Sequence, residues 1–405
     1  MRNSNRLKDK CKMIDSENNG ARSMGRLDSL DALRGADMFF IMGGSALLAR
    51  LSVLAGFDVD NAFAQQFDHV LWHGFHFQDM IFPLFLFIAG VSFPFSCAKQ
   101  IERGFGRGTI FIRCARRAAM LFLLGLVYNG LLRFDFSELV WGSVLGRIGI
   151  AWFGASVLYL FFGWRTRIAM AVSVLLGYWA VMRFVQAPDI MDVSVPANLA
   201  EYAQDPISPA GNISGYLDRM LLPGKLTVPG VFSNQGTLST LPAVVTAMIG
   251  MFAGEYLRGR GSLLSGGVRT FRMLAAATGL LLAGLFVAFG CGSWSMPLNK
   301  ILWSSSFTLV VGGISVALLS VFHYVIDVKG CRNWCFFFRV IGLNSITVYM
   351  LQKVVPVAST AKFFFGGLSS FFPPAVSSVV IQLGYITICW LVLWFLHRNK
   401  IYWKV

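Results

Sequence analysis

The chain is short of charge and shortest of acid: of its 405 residues 14% are charged and only 20 are Asp or Glu, against 56% hydrophobic. A soluble globular domain carries about a quarter of its residues charged, so that class is excluded and lipid is the expected solvent. Cysteine is sparse: seven are scattered at 11, 97, 114, 291, 331, 335 and 389 with no C-x-x-C spacing, so neither a disulfide framework nor a cysteine metal site is expected. No G-x-G-x-x-G or P-loop precedes a helical run, which removes the usual dinucleotide and NTP folds. The first 35 residues lack the apolar core and small-residue cleavage site of a signal peptide and read as a flexible basic cytoplasmic tail. A net charge of +15 would suit nucleic acid, but the Lys and Arg residues fall in short clusters between apolar runs and form no single basic face.

What is abundant is the apolar run. A bilayer core of about 30 Å needs about 20 apolar helical residues. Candidate spans are 36–56, 80–98, 114–132, 144–163, 168–186, 238–257, 272–291, 303–325, 338–355 and 375–396, which predicts an all-α polytopic membrane protein of about ten transmembrane helices. The stretch 355–374 suits a re-entrant or interfacial piece. Basic residues retained on the cytoplasmic side set orientation, and here they separate cleanly. The tail, Lys99 to Arg117, Arg165 with Arg167, Arg258 to Arg272, Lys329 to Arg339 and the end of the chain hold most of them, which predicts cytoplasmic N and C termini. The other loops hold mostly acid. The long one, 187–237, is rich in Pro, Gly, Asn and Asp and reads as a lid or substrate loop within a membrane domain of residues 36–405.

Three signals carry chemistry. The first is DHVLWHGFHFQDM, where His69, His73 and His76 are followed by Asp79 on the non-cytoplasmic side. The histidines can be zinc ligands, members of a solvated interfacial belt with Trp72, Phe75 and Phe77, or an active site in which one neutral imidazole acts as general base. His69, beside Asp68 and within reach of Asp79, suits the last role. The second signal is polar groups inside apolar runs: Asp37, Arg50, Arg147, and Asn344 with Ser345. Snorkelling accounts for Arg50, whereas Arg147 and Asn344 are expected to face a cavity. The third is the cytoplasmic cluster Arg107, Arg113, Arg116 and Arg117, which can attract anionic lipid or fork around the phosphates of a cofactor.

These segments together resemble a known family. RLDSLDALRG at 26–35, FDHVLWHGFHFQDMIFPLFLFIAGVS at 67–92, QGTLSTLPAVVTAMIGMFAG at 235–254, MPLNKILWSSSF at 296–307, IDVKG at 326–330, IGLNSITVY at 341–349 and the terminal RNKIYWKV resemble the heparan-alpha-glucosaminide N-acetyltransferases and their bacterial relatives, over nearly the whole membrane region. The resemblance implies a transmembrane acyltransferase that draws acetyl-CoA from the cytoplasm and acetylates the amine of a terminal glucosamine on the opposite face. The family's catalytic His lies shortly before a Trp-x-Gly and an Asp-x-x-Phe-Pro, and His69, with Trp72, Gly74, Asp79, Phe82 and Pro83, matches that placement. It further implies Asp79 or Asp68 as partner of His69. Arg34, Arg107, Arg113, Arg116, Arg117, Arg147, Asn344 and Ser345 are implied along the CoA path, with Asn344 or Arg147 as an oxyanion donor. Trp72, His73, His76, Asn234, Asn299 and Trp303 are implied on the acceptor side. The large soluble region and extra leading span of the animal enzyme are missing from the pattern, which suits the compact bacterial form, an inner-membrane location and a periplasmic active site. Expected partners are membrane lipid, acetyl-CoA and an amino-sugar or glycan acceptor, with no nucleic acid, and either lipid or a second copy against the Phe-rich segment 363–372. The rival readings are an envelope polysaccharide O-acyltransferase and a secondary sugar transporter.

Overall fold

The computed structural model describes residues 27–58, 61–203, 207–259 and 264–403; of the tail expected over residues 1–35, residues 1–26 lie outside them. The helices in chain order are α1 (Asp28–Leu54), α2 (Phe77–Glu102), α3 (Arg107–Tyr128), α4 (Val144–Phe161), α5 (Trp164–Phe184), α6 (Ile213–Leu221), α7 (Thr240–Arg258), α8 (Gly266–Gly290), α9 (Ser305–Val328), α10 (Cys335–Leu343), α11 (Ser345–Val354), α12 (Val357–Ser369) and α13 (Pro374–Arg398). Among the described residues the remaining β structure is three isolated bridges. The chain is therefore an all-helical polytopic membrane protein.

Eight of these helices are long and apolar enough to cross a membrane, and a ninth span follows if α10 and α11, bent by 70° at Asn344, are taken together. The sequence count of about ten included α3. Its 22 residues are long enough to cross at about 1.5 Å per residue, but its first three turns hold Arg107, Arg113, Arg116 and Arg117. α12 has 13 residues and is too short to span. α12 lies within 355–374, the stretch expected to be re-entrant or interfacial, and the break at Asn344 falls before it.

One boundary is corrected. Asp28 to Gly35, assigned from the sequence to the tail, form the first two turns of α1, where Asp28 and Asp31 complement the positive end of the helix dipole. α1 is then kinked by a π turn at Phe40–Gly44, with Gly43 at φ 113°. The kink turns the Gly43 carbonyl outward, and Gln382 Nε2 donates to it at 2.9 Å.

Close backbone approach fixes the centre of the bundle. A Cβ on Gly250 would lie 2.2 Å from the Phe87 carbonyl oxygen, and one on Gly254 2.3 Å from that of Val91. Phe87 and Val91 rise together with Gly250 and Gly254, so α2 and α7 run parallel, joined by the small-residue spacing typical of membrane helix pairs. α1 runs antiparallel to α2, because Arg34 bonds Ser92 at one level and Ser45 bonds Gln78 at the other. The start of α2 therefore gathers the loops around His69, and its end gathers the arginines.

The long loop expected as a lid or substrate loop packs onto the histidine end of the bundle. Its Val231 and Phe232 are buried with Trp72, Tyr178, Met182 and Leu302. Its helix α6 brings in Asp218, which accepts from the Thr237 and Ser233 amides at 2.8 and 3.3 Å, and Arg219, which grips Asp189 at 2.8 and 2.6 Å. Burial pushes the Asp218 carboxyl up, while the Arg219 guanidinium holds Asp189 below the usual range.

Candidate active site

At the start of α2 the chain turns through Gly74, whose φ of 129° is open to glycine and strained for other residues. The Gly74 amide bonds the Leu298 carbonyl at 2.9 Å, tying the histidine segment to the loop before α9. Asp79 then falls at the third position of α2, where its Oδ2 accepts the His76 amide at 3.1 Å. Its other oxygen, Oδ1, lies 2.8 Å from His69 Nδ1. The Asp79 side chain is 1% exposed and that of His69 55%, so a buried carboxylate holds an open ring. An ionised carboxylate only accepts, so Nδ1 carries the proton toward Asp79, and in a neutral ring Nε2 then keeps its lone pair.

Lys300 completes this group. Its Nζ stands 3.3 Å from Asp79 Oδ1 and 3.0 and 3.3 Å from His69 Nδ1 and Nε2. The two ring nitrogens point their bonding directions apart, so a cation equally close to both stands over the ring. Burial pushes the Lys300 ammonium below the ordinary lysine value; the Asp79 carboxylate opposes that and Arg147 adds to it.

The other expected acceptor-side residues surround the pair unequally. Asn299 Nδ2 donates to His73 Nδ1 at 3.4 Å, and the Asn299 Oδ1 receives the Leu302 amide at 2.8 Å. His76 Nδ1 bonds the Asp68 carbonyl at 3.0 Å. The three imidazoles thus turn to three different partners and do not converge on one point, unlike a zinc site. Asp68 offers its main chain to His76; the carboxylate that meets His69 is Asp79. Trp72 is buried, with Nε1 donating to the Ile207 carbonyl at 3.0 Å. Trp303 is 0% exposed, so it serves as floor: its ring packs on Phe82 and Phe307, Nε1 donates to Thr246 Oγ1, and Arg147 covers it at 5.2 Å. The Asn234 amide bonds Thr227 Oγ1 in the long loop, away from the histidines' bonds.

The opposite end of α2 opens into a cavity of about 1010 Å³, the upper end of small-molecule site sizes. Phe85, Ala89, Ser92, Ser96 and Lys99 line it as one stripe of α2, opposed by Leu30, Asp31 and Arg34 of α1, Arg117 and Leu121 of α3, Ile148 and Trp152 of α4, and Ser345 and Ile346 of α11. Glu102, Arg258, Tyr402 and Trp403 line it too, and with Leu27 they bring both described ends of the chain to the same end of the bundle. From Phe85 to Glu102 the lining covers about 26 Å of helix, and Asp79 lies about 9 Å beyond Phe85. Arg34 NH2 donates to Ser92 Oγ at 2.9 Å, Arg117 sits 4.5 Å over the Trp152 ring, and the Arg117 Nε is buried without a partner. Arg34 and Arg117 thus bring two guanidiniums to one cavity, where Arg34 NH1 also meets Asp31 Oδ1 at 3.4 Å.

Of the residues placed on the cofactor path, Arg34, Arg117 and Ser345 line the cavity. Arg113 turns aside to Gln100 at 3.0 Å and to the Phe105 ring, and Arg107 and Arg116 are exposed off it. Arg147 and Asn344 are not part of that lining. Arg147 belongs to the histidine end: it is buried, and its NH2 bonds Ser239 Oγ and the Gly236 carbonyl. Asn344 belongs to the basic end, with Nδ2 on the Ile401 carbonyl at 3.1 Å and Oδ1 on the Trp403 amide at 3.2 Å. An amide occupied on both sides there is no oxyanion donor for His69.

Reading by sequence missed Lys300, Lys99, Arg258, Trp152, Tyr402 and Trp403. Lys300 stands beside Asn299 in MPLNKILWSSSF, and that adjacency was its one visible signal.

No model of a known protein family matches the chain. Heparan-alpha-glucosaminide N-acetyltransferase of Homo sapiens is 25% identical over 377 residues, covering 84% of this chain and 56% of the human protein. The Mus musculus protein of the same name is 24% identical over 379 residues, with 84% and 56% covered. The chain spans about half the length of the curated relatives it matches. Through them it is related at family level to the heparan-alpha-glucosaminide N-acetyltransferases.

Proposed function

We propose that this chain is a transmembrane N-acetyltransferase that takes acetyl from acetyl-CoA at its basic end and passes it to the amine of a glucosamine-type sugar at its histidine end. The observation that carries this reading is the pairing of an imidazole–carboxylate couple with an arginine-bearing cavity at the two ends of α2. Arg34 and Arg117 would hold the CoA phosphates, and the Ser92 and Ser96 stripe with Ser345 would meet the amides of the pantetheine arm. The thioester would then lie toward Phe82 and His69.

There the acceptor nitrogen attacks the thioester carbonyl carbon while His69 Nε2 takes its proton. Asp79 holds the ring in the tautomer that leaves Nε2 free and balances the imidazolium that forms. The tetrahedral adduct collapses by breaking the carbon–sulfur bond, and the imidazolium returns the proton to the departing thiolate. The products are an acetamide and CoA.

In this reading the basic end is cytoplasmic, the histidine end faces the periplasm across a bacterial inner membrane, and the cavity is reached from the cytoplasm. With α3 taken as a crossing beside the nine candidate spans, this reading has ten traversals and both termini on the basic side.

The test gives purified protein acetyl-CoA with glucosamine-terminated or hydroxyl-only glycans and follows free CoA. Release with the amine acceptor supports the proposal. Release with hydroxyl acceptors alone assigns O-acyl transfer, and a folded preparation that releases no CoA with any acceptor but takes up sugar is a transporter.

A further inference from the structure

Resting on the acetyl-transfer reading, we propose that Lys300 is a further catalytic residue, whose ammonium donates to the thioester carbonyl oxygen as that oxygen gains negative charge. Its position supports the role. Nζ is 3.3 Å from His69 Nε2, the atom that takes the acceptor's proton, so a carbonyl attacked beside Nε2 is within reach of the same cation. An ammonium has three protons, and its ion pair with Asp79 is a long one at 3.3 Å, which leaves protons for a ligand oxygen. Asp79 is already bonded to His69 and to the His76 amide.

Two other candidate donors have bonds of their own. Asn344 is held at the basic end by Ile401 and Trp403. Arg147 gives its NH2 to Ser239 and Gly236 and lies against Trp303, with its Nε buried and unbonded.

The loop that carries Lys300 is fixed on both sides. Before it, Leu298 accepts the Gly74 amide and the Asn299 amide donates to Ser304 Oγ at 3.1 Å. After it, the Leu302 amide is on Asn299 Oδ1, and Trp303 is held at φ 52°, a conformation costly for a bulky residue and kept by its buried ring. A donor fixed before the charge develops needs no reorganisation at the moment of reaction. In the step itself the carbonyl π electrons move to oxygen as the nitrogen bonds carbon. Lys300 shares a proton with that oxygen and keeps it when the carbonyl re-forms and the thiolate leaves.

The experiment follows free CoA release from acetyl-CoA and a glucosamine-terminated acceptor by wild type, Lys300→Met and Lys300→Arg, with thermal unfolding of each. If wild type releases no CoA with the amine, the transferase reading and this proposal fall together. If it does, Lys300→Met is expected to lower kcat by about 10²–10³ with KM for acetyl-CoA little changed. Lys300→Arg is expected to recover part of that. The groups facing Lys300 are His69, Asp79 and Arg147. Of the groups at position 300, a lysine loses its charge as pH rises through its lowered value while arginine does not, so the alkaline fall in activity should move to higher pH in Lys300→Arg. A Lys300→Met variant that loses only thermal stability or only affinity, or an alkaline limb unmoved in Lys300→Arg, overturns the assignment and leaves the transferase reading standing.

Discussion

Asp79 and His69 meet across the first turn of α2, Oδ1 to Nδ1 at 2.8 Å, with the carboxylate buried and the imidazole open. The asymmetry matters for chemistry. The helix start and the His76 amide fix the carboxylate, so the ring is oriented from its protected side while Nε2 remains accessible to an incoming acceptor.

Asp79→Asn tests that relationship. The amide keeps the shape of the carboxylate, but it no longer selects the Nδ1–H tautomer or balances an imidazolium. We expect kcat to fall by about 10³–10⁴. Loss of a charge at a helix start costs about 0.3–1 kcal/mol, so the variant should stay folded. Steady-state CoA release with a thermal melt measures both; a variant keeping a tenth of wild-type kcat would show that the pair is only a helix cap.

Arg117 and Arg116 are neighbours in sequence and opposites in setting. Arg117 lines the cavity over Trp152, and Arg116 is exposed. A charge-assisted hydrogen bond contributes about 1.5–3 kcal/mol, so Arg117→Met should raise KM for acetyl-CoA about tenfold or more. Arg116→Met should leave it unchanged. Equal effects of the two would assign the cluster to lipid attraction and topology.

The legible part of this protein was what composition and local pattern dictate. Apolar runs gave the helices, although α1, α3 and α8 start at Asp28, Arg107 and Gly266, ahead of the expected 36, 114 and 272. The interval from His69 to Asp79 is short enough to be read as one motif. The illegible part depends on which distant segments meet. Lys300 reaches His69 across 231 positions, and Tyr402 and Trp403 line the cavity where Asn344 tethers the end of the chain. Arg147 and Asn344 carried the same signal, a polar group in an apolar run, but it does not say at which end of a helix bundle the group will lie. Asp28 to Gly35 looked like tail because charge masks a helix start.

In the proposed reading the tether gives Asn344 a part in binding rather than in chemistry. Asn344→Ala removes two main-chain hydrogen bonds worth about 1 kcal/mol each and frees Tyr402 and Trp403 from the cavity wall. KM for acetyl-CoA should rise several-fold while kcat at saturation stays within about threefold. A loss of about 10²–10³ in kcat, the size seen when an oxyanion donor is removed, would return Asn344 to the reacting atoms.

The seam between α2 and α7 sets two opposed terms against each other at one glycine. Gly→Ala in a helix gains about 1 kcal/mol from propensity alone. At Gly250 the new Cβ would meet the Phe87 carbonyl oxygen at 2.2 Å, and because that atom is backbone the helices must part, at a cost of about 1–3 kcal/mol or more. The clash should win, so Gly250→Ala lowers the apparent Tm in detergent. Gly177, in the middle of α5, has nothing within 4 Å of its would-be Cβ, so Gly177→Ala should leave Tm unchanged or raise it. If both substitutions raise Tm, α2 and α7 are not in backbone contact. The level of His69 relative to the cavity, which depends on that seam, would then have to be redrawn.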